Sequence, residues 1–416
     1  MEHSIVEEPG GIPKFSKYQA FVAAVLALLQ FTIVLDFVII SPLGDILMKQ
    51  MQISTAQFGW IVSSYAFSAG ASGIITAGFA DKFDRKKLLL LFYTGFTVGT
   101  LLCGLADSYV MLLVARIITG LFGGVIGSIS LAIVTDLFPI SQRGRVIGFI
   151  QMAFAGSQIL GIPIGILVAN HWGWHATFFM IVALCILILA AVFMRMQAVD
   201  QHLKIRSERS PLLHLWHTVI NPRYQVGFLA TAFLAIGGFM LMPFSSAFMV
   251  NNVGISHEQL PLVFMLTGVS SVVVMPLVGR LSDRFDKFRI FAIGSVLAIV
   301  MVMVYTHMSR SPLWFMILVN VILFMGIMSR SIPATALNTS VPLAQDRGAY
   351  MSITSSLQQM SGGIAAMIAG LIVQQRTPDA PLVHFDTLGY VVSVVILVCI
   401  YLIYRVYRML KPVVAG

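Results

Sequence analysis

The sequence predicts an all-α membrane protein of twelve transmembrane helices in two pseudo-symmetric six-helix bundles. Composition, run length and an internal repeat carry that expectation. The 416 residues are 58% hydrophobic and 10% charged, with a mean hydropathy of +0.91, whereas a soluble domain carries roughly 25% charge. Apolar runs of the length that crosses about 30 Å of hydrocarbon recur along the whole chain. Two charged segments, AGFADKFDRKK at 77–87 and GRLSDRFDKFR at 279–289, repeat one another, with Asp81 and Asp283 202 positions apart. A second pair keeps the spacing: DLFPISQRGR at 136–145 lines up with SVPLAQDRGA at 340–349, and Arg143 and Arg347 are 204 apart. A repeat at half length in so apolar a chain reads as a duplicated bundle.

In chain order, residues 1–17 form a polar tail, and the apolar run that follows is too long for a signal-peptide core, so no cleavable signal is expected. The first bundle, 18–196, holds spans near 18–43, 57–80, 88–106, 109–137, 146–169 and 174–196. The hydrophilic stretch 197–223, with Lys204, Arg206, Arg209 and Arg223, is the expected linker, with an interfacial turn at 211–217. The second bundle, 224–409, holds spans near 224–250, 258–279, 289–308, 312–340, 347–375 and 387–409, and 410–416 is a second tail.

The net charge of +9 does not point to nucleic acid, because the basic residues lie in short loops and form no stripe interleaved with aromatics. They fit the positive-inside pattern instead. With both termini cytoplasmic, the outer side holds only Lys49, Arg310 and Arg376. Arg116 and Arg330 lie inside spans, and every other lysine and arginine falls on the inner side. The expected location is therefore the inner (plasma) membrane, with the lipid bilayer as partner. Cys103, Cys185 and Cys399 all sit in apolar runs without metal-ligand spacing, so neither metal nor cofactor is expected. The sequence has no GxSxG elbow, no phosphate loop and no HExxH pair, which argues against an enzyme or a self-contained ATP-driven pump.

The loop at 77–87 resembles the signature of major facilitator superfamily transporters, GxLADxxGRKx, with Asp81, Arg85 and Lys86 at its charged positions. Ala77 stands where the first glycine is usual, and Asp84 replaces the later one, as Asp286 does in the second copy. Aspartate tolerates tight-turn geometry better than most residues. VARIITGLFG at 114–123 resembles the family's arginine motif in helix 4. GSQILGIPIG at 156–165 resembles its antiporter motif in helix 5 through Gly161, Pro163 and Gly165, although Ile162 separates a glycine and proline that are normally adjacent. The resemblance spans the whole chain and is strongest to the twelve-helix drug/proton antiporter branch, which includes sugar-efflux permeases. It implies an inner charge network of Asp81, Arg85 and Asp136, matched by Asp283 and Arg284 in the repeat, that switches between conformations. The alternative reading is that these charges serve only as positive-inside topology determinants.

An ionisable side chain in the middle of a span costs at least about 2.5–3.5 kcal/mol and is a functional candidate. Asp36, in FTIVLDFVII at 31–40, is the one acidic residue well inside any span. A carboxylate balanced between burial and a nearby cation can load and release a proton; the other reading is a structural partner for Arg116. Arg116 shares a helix face with Gly120, Gly123, Gly124 and Gly127, which permits close helix contact and turns the arginine into the bundle. It cannot carry the proton, so its role is to hold Asp36 charged in one conformation or to brace its helix.

Arg330 has no counterpart in the first half, where Ile126 takes its place. It suits an anionic or hydroxyl-rich substrate, with Asn338 two turns on, or a gate that pairs across the halves. Gln151, Gln158 and Gln358 fall in the fifth and eleventh spans, which line the cavity in the family. They can bond a substrate or each other. Phe244 is expected to contact the substrate, and with Phe239, Met240, Gly237, Gly238 and Pro243 it marks the seventh span as bent and gating. The leading expectation is a monomeric, proton-coupled exporter of small apolar or amphipathic compounds working by alternating access. A symporter or uniporter that imports a sugar or organic anion stays open, as does a non-transporting receptor or assembly scaffold.

Overall fold

The computed structural model describes residues 15–77, 82–200, 203, 211–377 and 379–410. Asp81 lies outside the described residues, as do most of both tails and the basic stretch 204–210. Twelve long helices follow in order: α1 (Lys17–Ile39), α2 (Thr55–Ala77), α3 (Arg85–Gly104), α4 (Tyr109–Leu137), α5 (Ile140–Trp172), α6 (Trp174–Arg195), α7 (Pro222–Val253), α8 (Leu260–Arg284), α9 (Lys287–Thr306), α10 (Leu313–Asn338), α11 (Arg347–Ile372) and α12 (Phe385–Leu410). Eleven of them are long and apolar enough to cross a bilayer. The other, α11, has the length at 26 residues but carries Gln358, Gln359 and several serines, because it faces a cavity and α2 rather than lipid. The twelve-helix, two-bundle architecture expected from the sequence is therefore the one observed. Large apolar side chains such as Leu187 and Phe193 on α6 and Val394 and Leu397 on α12 point outward, as lipid-facing surfaces require.

Local chemistry sets where the helices start and bend. Asp84 and Asp286 both precede a helix in the repeated loop, but not in the tight-turn geometry expected of a glycine replacement. Their φ values are −55° and −58°. Their carboxylates accept from the backbone N–H of Lys86 at 2.7 Å and Arg289 at 3.0 Å, so each is the N-cap of α3 or α9. Proline at 163 is accommodated by a π turn at Ser157–Gly161 that takes up the lost backbone bond in α5. In α7 the regular helix stops at Phe239 and resumes after a 3-10 turn at Met242–Phe244, which places the expected bend at Pro243. The predicted interfacial turn at 211–217 is a ten-residue helix, Pro211–Ile220.

The loops at Lys82–Lys87, Arg143–Arg145 and Arg284–Arg289 lie at one end of the molecule, termed here the basic end; the opposite one is the far end. The halves meet most extensively along α2 and α11. The seam is built from small residues, with Gly59 against Ala366 and Gly370, and Gly70 and Gly73 against Ser356. A second contact joins α5 to α8, where a side chain on Gly268 would press on the backbone of Gln158 and Ile159.

Candidate functional site

Four helices of the first half converge on Asp36. Its Oδ2 lies 2.8 Å from Nη1 of Arg116, and neither side chain reaches solvent. Thr100 of α3 donates to the other carboxylate oxygen at 3.2 Å, and Nη1 of Arg116 also reaches the Asp36 carbonyl at 3.3 Å. The guanidinium lies over the ring of Tyr65 on α2, 4.5 Å from its centroid. The glycines of α4 make this possible. A Cβ on Gly120 would fall 2.1 Å from Ser68 Oγ and 2.4 Å from Tyr65 O, and one on Gly124 would fall 2.5 Å from Ala69 O. Gly161 and Gly165 do the same for α5 against α1, since a side chain at either would strike Leu35 or Ile39.

Between the halves lies a cavity of about 890 Å³, walled mostly by α7, α8, α10 and α11, with α1 and α5 on the other side. It extends toward the basic end, where Thr339, Tyr350 and Met351 line it. Gln151, Gln158, Gln358 and Asn338 are all in its wall. The amide of Asn338, however, is already engaged. It donates to Gly227 O at 3.0 Å and to Thr231 Oγ1, and it accepts from Tyr350 OH at 2.8 Å, tying α7, α10 and α11 together. The Asp36–Arg116 pair is not in the wall. Phe37, the next residue of α1, is, and its ring stands 5.3 Å from Tyr65 and 6.1 Å from Phe239. Arg330 is also wholly buried and lies behind the wall, beside Gly237. Phe244 lies outside the cavity and packs edge-on against Phe58 at 5.7 Å, closing the far end.

The far end holds a polar cluster that sequence reasoning missed. Ser246 donates to Ser41 O at 2.8 Å and Thr55 to Val373 O at 2.7 Å, each bond crossing between halves. Asp45 accepts from Asn251 and lies 3.1 Å from Lys49 and 3.2 Å from His257. Lys49 also reaches Asp379 at 3.2 Å. Burial pushes the Asp45 carboxyl up, but His257, Asn251 and Lys49 outweigh it and hold it below its ordinary value. The signal in the sequence was faint: polar residues at the ends of runs, in segments some 200 positions apart.

At the basic end, Arg85 pairs with Asp136 through Nε at 3.4 Å. Lys86 donates to the carbonyl of Met196, which draws the loop against the end of α6. Asp283 and Arg284 are exposed at the end of α8. In the second half it is Asp286 that is engaged, accepting from Tyr407 of α12.

A sequence model of the Major Facilitator Superfamily matches residues 26–366 and, again, 227–414. The chain belongs to that superfamily. Its members are transporters rather than enzymes, and this one is a multi-span membrane protein. It is 22% identical over 372 residues to YbcL, an uncharacterized MFS-type transporter of Bacillus subtilis, covering 89% of this chain and 93% of that one. It is 24% identical to the tetracenomycin C resistance and export protein of Streptomyces glaucescens over 413 residues, 83% of this chain and 74% of that one. In fold it is similar to a bacterial homologue of the human lysosomal transporter Spinster in an inward-facing, occupied conformation. The TM-score is 0.79 at 16% identity, with 95% and 98% of the two chains covered.

Proposed function

We propose that this superfamily member exports small apolar or amphipathic compounds in exchange for protons by alternating access. The observation that carries the proposal is the dry Asp36–Arg116 pair, one residue from the cavity wall at Phe37. A proton on Asp36 would cancel its charge and leave Arg116 with the Asp36 carbonyl at 3.3 Å and the Tyr65 ring. The pair thus differs in energy between protonation states, which is what a proton needs in order to shift a conformational equilibrium. Phe37 is the mechanical link, since it touches the pair's support, Tyr65, on one side and Phe239 of α7 on the other.

By the positive-inside bias the basic end faces the cytoplasm of a cell whose inner membrane holds the protein, and the described state is open inward. Gln151, Gln158 and Gln358 offer the substrate amides in an otherwise largely apolar wall, while Asn338 shapes that wall. Arg85 and Asp136, with Asp81, Asp283 and Arg284, bias the two states at the inner surface. The export protein among the relatives supports the outward direction, and the unit of function in this reading is the monomer.

Purified protein in proteoliposomes, with internal pH recorded after substrate addition, tests the reading. Protons should move opposite to substrate in wild type and not in Asp36→Asn. Substrate movement with no proton flux in wild type would sink the coupling. Proton flux unchanged in Asp36→Asn would remove Asp36 from it.

A further inference from the structure

Arg330 is wholly buried on α10, and none of its Nε, Nη1 and Nη2 atoms has a nitrogen or oxygen hydrogen-bond partner among the described residues; the one polar group beside it is the weakly accepting Cys399 thiol. Its surroundings are Gly237 of α7 and, from α12, Ile396 and the Cys399 thiol. No carboxylate pairs with it among the described residues, whereas Arg116 has Asp36. A guanidinium cannot shed its charge, and a cation left uncompensated at this depth is strongly unfavourable. The wall between it and the cavity is thin. Gly237 lines the cavity, and a Cβ there would lie 3.1 Å from Nη1, so only backbone separates the charge from the open space. The adjacent Gly238 has nothing within 4 Å of where a side chain would begin, and α7 loses its regular helix at Met240.

We propose that Arg330 is the anion-recognition residue of the substrate site. It receives the carboxylate of an amphipathic substrate whose apolar body fills the cavity, and the contact forms as α7 shifts at Gly237 and Gly238. The flat fork of donors matches a carboxylate two bonds at a time, and the apolar cavity beside it selects an acid with a hydrophobic body over a bare ion. This inference deepens the reading of the cavity as the substrate site, and it is independent of proton coupling.

Binding to the purified full-length protein in lipid nanodiscs, with no pH gradient, tests it. The probes are a panel of arylalkyl carboxylates and their neutral amides, read by titration calorimetry and by ligand-induced thermal stabilisation. Carboxylates should bind roughly ten- to a hundredfold tighter than their amides, Arg330→Gln should abolish that preference with amide affinity held within about twofold, and Arg330→Lys should restore part of it. Unchanged amide binding shows that the variant is folded. Equal affinity for acids and amides in wild type overturns the proposal, as does a preference that survives Arg330→Gln. Equal stabilisation by acetate or chloride also overturns it, since that would be a site for free ions. Binding of amides without preference sinks only the role of Arg330, whereas binding of no probe of either kind sinks the cavity as the substrate site and this role with it.

Discussion

Arg116 on α4 and Arg330 on α10 are both wholly buried, yet the first meets a carboxylate at 2.8 Å and the second meets none among the described residues. The repeat shows how the halves diverged. At the 204-residue spacing, the place of Arg116 is taken in the second half by Asn320, a neutral amide that donates to Thr267 at 2.8 Å and lines the cavity. The first half therefore closes its charge within itself, with Asp36, Thr100 and Tyr65 around Arg116. The second half places a cation at a different depth, where its own helices do not neutralise it. Duplication supplied two copies of one scaffold, and burial of charge was then resolved internally in one and left unresolved in the other.

The sharpest way to break this comparison is Arg116→Ala, which strands the Asp36 carboxylate in a dry interior. Removing one partner of a buried pair costs about 3–5 kcal/mol, so thermal unfolding should move far down and folded yield should collapse. Adding Asp36→Asn to the same chain should recover much of the loss. A double variant no better than the single one would mean that the two charges are not coupled. Arg330→Met should behave in the opposite way, with a stability within about 1 kcal/mol of wild type or above it, because no acceptor is stranded. A fall as large as that of Arg116→Ala would reveal an internal partner and erase the contrast.

The smallest effect concerns Asp45, whose partners come from both halves. Because its folded value lies below the ordinary 3.8, its contribution is complete above that value and is lost as pH falls through the lower, folded one. Spin labels at Gln52 and Arg376, across the far-end rim, should hold one separation from about pH 7 to about pH 5 and spread only below about pH 4. Spreading already at about pH 6 would mean that Asp45 does not control the closure.

The architecture was legible because span length, loop charge and the repeat are properties of contiguous sequence. Asp36 and Arg116 could be singled out for the same reason, since an acid or a base within an apolar run stands out by itself. Their meeting across 80 positions followed from the glycine face of α4, which turns Arg116 inward and leaves few partners for it. The far-end cluster was not legible, because Asp45, Asn251 and His257 are ordinary end-of-helix residues until the fold joins them. Nor could sequence say that Asn338 is tied up by Gly227, Thr231 and Tyr350, or that Arg330 stands behind the cavity wall; both depend on how α7 lies against α10. The two aspartates of the repeated loop were read as turn residues and are N-caps, an ambiguity between turn and cap that residue type alone leaves open.

The seam between α2 and α11 has a consequence for speed. Interdigitated ridges must disengage before one helix can move across another; Gly59, Gly73 and Gly370 bring the two backbones together with little between them, but Met360 seats against Gly70 and Phe67 against Gly363. The long contact is therefore latched at two points, and Met360 and Phe67 must leave their glycine seats, as the polar bonds at the far end must break, before the halves can swing.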